Sequence, residues 1–400
     1  MRLLAPLTLL TGLFTAPRLA AQTTWYVDAN GTPPGTGTQL DPYTSIQYAI
    51  DRPTTLYGHT LLVAAGEYAG ATVPGSKALT VRSTSGPAQT FVDGLAAFSP
   101  STLSGFTVRG SVHLDFGADV DHCIVVAVPG GDDVGIQAEE TGDVRHCVVR
   151  GFATGVTFGV WGSGGNVLEN TILIDCALGA REFNGAVMRY CAGVLTTDGT
   201  HWTKVANLAG DPGVWDASGG DFHLRPGSPC IDAGDPASPL DPDGSRTDVG
   251  AIAYDATYAP GPTVYCEGKL HSQGCVPSIA YSGSASASSA SPFLVTATNV
   301  VPHRRGFLFY GFAPDAQPFQ GGTYCVLQPT RRTRGQDSLG GPAPCTGSYS
   351  YDFNPRIQSG ADPFLVPGAL VYAQYWFRDP ADPQGFASGL SNGLCFGIAP

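Results

Sequence analysis

The chain has 400 residues, of which Gly and Pro supply 53 and 32; about one residue in five is a turn former, which excludes long helical bundles and coiled coils. Hydrophobic residues make up 42% and charged residues 14%, enough apolar surface for a real core and too little charge for a disordered polyelectrolyte. The formal net charge is -12, from 33 acidic and 21 basic residues without a basic run, so nothing is available to neutralise a phosphate backbone and nucleic acid is not an expected partner.

At the start, Met1-Arg2 precedes an apolar run from Leu3 to Ala16, then Pro17 and the small-residue stretch Leu19-Ala20-Ala21-Gln22. A basic tip, a run too short to span a bilayer and a small-residue cleavage site read as a secretory signal peptide over residues 1–21. The protein is therefore expected to be secreted, extracellular or at the cell surface, and no later stretch reaches membrane-spanning length. Secretion permits disulfides, and the ten cysteines fall as five up to Cys230 and five from Cys266 onward. Two odd groups leave a thiol or two over unless one bond crosses between the halves.

Ser45 to Asp51 places Ile46, Ala49 and Ile50 on one side of a short helix, with Thr44 or Ser45 as N-cap. Leu61–Ala64, Leu79–Val81 and Thr90–Gly94 are short β-rich runs bounded by Gly, Pro and Ser. A repeat then sets in: Leu103-Ser-Gly-Phe106, Val120-Asp-His-Cys123, Val144-Arg-His-Cys147, Leu168-Glu-Asn-Thr171 and Met188-Arg-Tyr-Cys191. Their last residues lie 17, 24, 24 and 20 positions apart, the period of a solenoid. Each polar pair sits between two residues that belong inside, which strand alternation cannot arrange but a corner between two short strands can. Val120, Cys123 and Val125 then face inward, as do Val144, Cys147 and Val149, and Leu168, Thr171 and Leu173, stacking like on like in successive rungs. Gly-rich stretches at 129–131, 162–165 and 218–220 supply connecting loops. The helix before the first rung plugs the open end, which otherwise exposes core and an unpaired strand edge. The expected fold class is all-β, a parallel β-helix over residues 22–258 followed by a second domain.

Tyr26-Val-Asp28, Gly35-Thr-Gly-Thr38, Asp41-Pro-Tyr43, Ser45-Ile-Gln47 and Ala49-Ile50 resemble the entry segment of secreted right-handed parallel β-helix proteins of the pectin-lyase-like class. Gly220-Asp-Phe-His-Leu224, Pro226-Gly-Ser-Pro229, Ile231-Asp-Ala-Gly234 and Asp248-Val-Gly-Ala251 are similar to the closing segment at the far end of such helices. The resemblance brackets residues 24–255 and implies the fold. That class holds lyases, hydrolases and members without known chemistry, so it selects no activity.

Ala259-Pro-Gly-Pro262 reads as a hinge, and over 263–400 the solenoid period gives way to strands at Phe293–Ala297, Gly306–Tyr310 and Leu370–Phe377, a compact β-sandwich. Ser282 to Ser291 is a loop or a polar edge strand. Cys266-Glu-Gly-Lys-Leu270, Ser272-Gln-Gly-Cys275-Val-Pro277, Tyr375-Trp-Phe-Arg-Asp379 and the stretch from Leu390-Ser-Asn392 onward resemble a C-terminal module of secreted planctomycete proteins, which implies an attachment, sorting or sugar-contact unit. The expected disulfides are Cys266 with Cys275 and Cys325 with Cys345, each closing a short loop. Cys123 and Cys147, on neighbouring rungs, are read as stacked buried thiols, because the strand spacing of about 4.8 Å is slightly long for the Cβ separation of a disulfide.

The catalytic candidates are Asp132 and Asp133 of Gly131-Asp-Asp133, with Asp115, Asp119 or Asp121 before them and His146 and Arg150 after. An inverting glycosidase needs two carboxyls ~6.5–9.5 Å apart, a spacing adjacent rungs could supply. The Gly-Asp-Asp resembles that of polygalacturonases, but their Asn-Thr-Asp, Gly-His-Gly and Arg-Ile-Lys elements have no counterpart here, and after Pro129-Gly130 the aspartates are read first as turn residues. A lyase needs a Lys or Arg base and usually calcium carboxylates; no Lys lies between Lys77 and Lys204, which leaves Arg145, Arg150, Arg181 and Arg189. Asp241-Pro-Asp-Gly244, with Asp235 and Asp248, could gather carboxylates on one Ca²⁺ but lacks the full spacing of a calcium loop. His122 and His146 share a corner column without a third ligand for zinc. Trp161, among Gly159, Gly162 and Gly164, is the candidate for stacking on a sugar, with Trp202 and Trp215; Tyr372, Tyr375 and Trp376 lie on a strand whose alternation favours core. Two readings follow. One is a secreted, non-catalytic β-helix protein that binds polysaccharide or cell-surface glycan without a cofactor, carrying a C-terminal attachment module. The other is a polysaccharide hydrolase or lyase on the same scaffold.

Overall fold

The computed structural model describes residues 23–159 and 165–400, so the expected signal peptide and Trp161 lie outside the described residues. Each rung of the first half gives one strand to each of three parallel sheets: Thr60–Val63 to the first, Gly66–Tyr68 to the second, Ala71–Val73 to the third, then Thr80–Ser83 to the first again. With nine, eight and seven strands in these sheets, the chain winds about seven turns. The register is like on like. Leu103, Val120, Val144, Leu168 and Met188 pair in sequence in the first sheet, all at most 1% exposed. Val108, Val125, Val149 and Leu173 do the same in the second, and Val112, Ile136, Val156 and Ala180 in the third. These three columns form the solenoid core.

The corner expected between the first two sheets is there, one left-handed residue per rung: His122, His146, Asn170 and Tyr190 have φ between 45° and 52°. Asn and His are among the residues that enter this region most readily. The ladder survives the bend, since His122 N–H donates to Arg145 O, His146 N–H to Glu169 O and Asn170 N–H to Arg189 O at 3.1–3.2 Å. Just past the corner, Cys123, Cys147 and Cys191 are free and buried, as expected for stacked thiols. Burial pushes the thiols of Cys123 and Cys191 up to about 12, so they act as core and not as nucleophiles. Six of the ten cysteines are free, more than the one or two expected. The helix Ile46–Asp51 is capped by Ser45, whose Oγ accepts from Tyr48 N–H at 3.3 Å, and it buries Ile46, Ala49 and Ile50 in the solenoid core.

The closing segment runs as a strap along the flank, where Val214, Phe222, Leu224, Val249 and Ala251 pack on the outward side chains Ile124, Val148, Ile172 and Ala192 of the second sheet. The reason is local: the pairs Ile124-Val125, Val148-Val149 and Ile172-Leu173 bury consecutive residues, so this sheet has two apolar faces and needs cover on both.

Beyond it, two antiparallel sheets enclose a second core. Leu370–Arg378 lies between Arg305–Gly311 and Ser388–Gly397 in one sheet, and Leu294–Val300 between Ser278–Ser282 and Gly347–Asp352 in the other. Val295, Ala297, Tyr310, Tyr375, Phe377 and Phe396 fill the space between. All four expected half-cystines are oxidised, but with exchanged partners: Cys266 pairs with Cys325 and Cys275 with Cys345, each at a Cα separation of 6.2 Å. The short-loop pairing does not form; the chain between Cys266 and Cys275 is held by contacts to residues far along the sequence. Lys269 is buried there, its Nζ donating to Asp382 at 2.6 Å and to the carbonyls of Gln320 and Ser388, while His271 bonds Asn299 O at 2.8 Å.

Candidate functional site

On the outward side of the first sheet, Asp121, Arg145, Glu169 and Arg189 follow one another in register. The charges alternate in sign at the strand spacing of about 4.8 Å. Together with His122, His146 and the strap residues Asp235 to Asp241 they line an open cleft of about 450 Å³.

Its centre is Asp121. The two oxygens of this carboxylate meet His146 Nδ1 at 3.0 Å and His122 Nδ1 at 2.9 Å, and the two rings stack with centroids 4.5 Å apart and planes at 17°. Burial alone would raise the Asp121 carboxyl, but the hydrogen bonds from both imidazoles hold it well below the usual carboxylate range. The buried ring of His146 is fixed from its other side, where Asn170 Nδ2 lies 2.9 Å from Nε2. Asn170 Oδ1 accepts from the Asp235 N–H at 2.7 Å, which settles the orientation of the amide. Nε2 of His146 is therefore an acceptor, and its hydrogen sits on Nδ1, donated to Asp121. Asn170 Nδ2 also donates to Ser238 Oγ at 3.1 Å, Ser238 donates to Glu169 at 2.9 Å, and Arg189 bridges Glu169 and Asp235 at 2.9 and 3.2 Å.

A depressed carboxyl contributes stability above its unfolded value, about 3.9 for Asp, and loses it only as pH falls through the lower folded value. A carbon-detected titration should accordingly show Asp121 still ionised at about pH 3, where an ordinary Asp is mostly protonated. Protonation of Asp121 alongside the exposed aspartates would mean that the two imidazoles do not clasp it.

Asp121, His122 and His146 bring ligand atoms within 4.8 Å of one another, so Asp121 is the third ligand the sequence reading lacked. The set nevertheless does not fit a cation. A metal on His146 Nδ1 would move the ring hydrogen to Nε2, directly against the Asn170 N–H. In the other such group among the described residues, His271 with Cys275 and Cys345, the sulfurs are already joined to each other. The aspartates considered for Ca²⁺ brace the strap backbone: Asp241 accepts from Asp248 N–H at 2.9 Å, and Asp248 from Asp232 and Tyr254 N–H at 2.7 and 2.6 Å. Burial, with the Asp241 and Asp232 charges nearby, pushes the Asp248 carboxyl up to about 6. Asp235 accepts from Ala237 N–H and pairs with Arg189.

Asp132 and Asp133 sit elsewhere, on the loop from Ile124–Val126 to Val134–Ala138 between the second and third sheets. Both are exposed at a cavity of about 250 Å³ that also takes in Ser111, His113 and Gln137. Gly131 N–H closes a turn on Val128 O at 3.0 Å, and Asp132 accepts from Ser111 Oγ. The structure thus separates these aspartates from His146, which lines the cleft at the other corner, and the three do not form one site. The arginines a lyase would draw on are engaged: Arg145 with Asp143, Arg150 with Asp175, Arg181 with Asp198 and Arg189 with Glu169.

Asn170 is the residue that sequence reading passed over. It occupies the same corner column as His122 and His146, spaced 24 residues from each neighbour in turn, so the repeat itself held the signal. Its partners Asp235 and Ser238, 65 and 68 residues away, left no local trace.

No family model matches the sequence, and no curated protein matches it either. Among solved structures, the pectate lyase Pel9A is similar over 59% of this chain and 97% of its own, with 11% identity and a TM-score of 0.27. The fold assignment rests on the strand register described above.

Proposed function

We propose that the chain is a secreted, non-catalytic β-helix protein that holds polysaccharide or cell-surface glycan on the flank of its solenoid, with the C-terminal sheets as its attachment module. The observation that carries this reading is the Asp121 clasp. One carboxylate fixes two stacked imidazoles, leaving the exposed His122 ring as a flat face beside the half-exposed Arg145 and Arg189, whose guanidinium groups are held donors in an open cleft. Preset donors beside a flat ring suit a hydroxyl-rich ligand, since little side-chain entropy is lost on binding. Against catalysis stand the paired arginines and the placement of Asp132 and Asp133 side by side on one turn, with no carboxylate beyond these two among the residues of their cavity to face them across a bond.

The test is retention of the full chain on a polysaccharide panel, run beside assays for new reducing ends and unsaturated product ends. Retention without product is expected, weakened by His122→Ala. Asp132→Asn and Asp133→Asn should leave retention within a factor of about three and stability within about 0.5 kcal/mol, as for other surface changes. Reducing ends released by the wild type and lost about a hundredfold or more in either Asn variant would establish a hydrolase instead.

A further inference from the structure

Strand alternation sends Leu308, Tyr310, Tyr375 and Phe377 into the C-terminal core, and therefore sends Phe307, Phe309 and Trp376 to the opposite face of the six-stranded sheet. Trp376, expected in the core by its strand position, is thus on the outer side. There it stacks on Phe307 with centroids 5.2 Å apart, while Phe309 stacks on Tyr324 at 4.9 Å with planes at 12°. Tyr324 comes from the hairpin Pro314–Phe319 and Gly322–Val326, which stands over this face and turns it into a cavity of about 340 Å³. That volume is at the lower end for a small-molecule site.

The polar groups at its rim are held in place. Trp376 Nε1 donates to Gln320 Oε1 at 3.1 Å, which leaves the Gln320 amide nitrogen free to donate, and Tyr324 OH bonds Thr330 Oγ1 at 2.9 Å. Among the residues that line the cavity there is one cation, Arg332, and no acidic side chain, in a chain whose acids outnumber its bases by 33 to 21. Its neighbour Arg331 is neutralised by Asp362 at 2.6 Å. Arg332 instead lies 4.8 Å over the Phe307 ring, and among the described residues no ion pair reaches it. Flat ring faces take the C–H face of a saccharide, amide and hydroxyl groups take its hydroxyls, and an unpaired guanidinium takes a carboxylate in a two-pronged contact.

We propose that this pocket binds a six-membered sugar ring bearing a carboxylate, a uronic acid unit of an extracellular polysaccharide. The inference rests on the reading of the C-terminal sheets as an attachment module and gives that module a ligand class. It is independent of the cleft on the solenoid.

The experiment measures binding of the full chain, by calorimetry, to a glucuronate oligomer and to a glucose oligomer of equal length. The acidic oligomer should bind at least about tenfold more tightly than the neutral one, the scale of one charge-assisted contact. Arg332→Gln should remove that preference by weakening only the acidic ligand. Trp376→Ala should weaken both, and Trp376→Phe should restore binding. Wild-type binding that survives both Arg332→Gln and Trp376→Ala overturns the pocket; if it then falls with His122→Ala, the glycan reading stands at the cleft. Equal affinity for the two oligomers overturns the acidic assignment, and no binding of either by the wild type overturns the proposal outright.

Discussion

Val144→Asp is expected to destabilise the solenoid by about 3–5 kcal/mol, the cost of a buried charge left without a partner. Val144 is fully buried between Val120 and Leu168 on adjacent rungs, and the groups around it in that column are hydrocarbon. Set against a typical domain stability of about 5–15 kcal/mol, the loss should appear as a large fall in the urea midpoint, followed by far-ultraviolet circular dichroism. Val144→Thr, with a hydroxyl that can reach a backbone carbonyl, should lose much less. An Asp variant that unfolds like the wild type would mean that this column does not face inward.

Asn170→Ala should cost at least about 3 kcal/mol, because it strands the Asp235 N–H and the His146 Nε2, each worth about 1–3 kcal/mol when buried unpaired. Alanine must also hold the left-handed φ of 48°, where a Cβ without a local hydrogen bond is disfavoured by about 1–2 kcal/mol. The damage should be directional. Amide exchange at Gly234 and Asp235 in the strap should accelerate before that of the rung amides Cys147 and Ile172, since the lost contacts join strap to rung. Strap protection unchanged from the wild type would show that Asn170 does not tie the two together.

How much of this could be read beforehand depends on the range of the interaction. The rungs were legible because their cause is periodic: a left-handed residue every turn forces a polar pair between two inward residues, and the spacing of Cys123, Cys147 and Thr171 repeats it. The strap's path was not, although the doubled apolar pairs such as Val148-Val149 already demanded cover on the outside of one sheet. Disulfide pairing failed for a related reason. Loop-closure entropy favours near partners, but the segment is anchored at Lys269 by tertiary contacts, and the half-cystines that meet lie 59 and 70 residues apart. The clasp at Asp121 was half legible, since the column placed both imidazoles together, while the amide that fixes the His146 hydrogen needed a contact to Asp235, 65 residues further on.

The strap also acts as a ruler. A solenoid ordinarily gains or loses a turn easily, because each turn touches only its neighbours. Here one segment is fastened at two heights at once: Asp235 and Gly250 at the rung of Asn170 and Ile172, and Phe222 with Ile252 in the same groove as Ile124, two rungs away. A turn inserted between Ile124 and Asn170 would move these fastenings apart by about 4.8 Å while the strap kept its length. Turn number and strap length are therefore tied, and a lineage of such chains can change one only by changing the other in step.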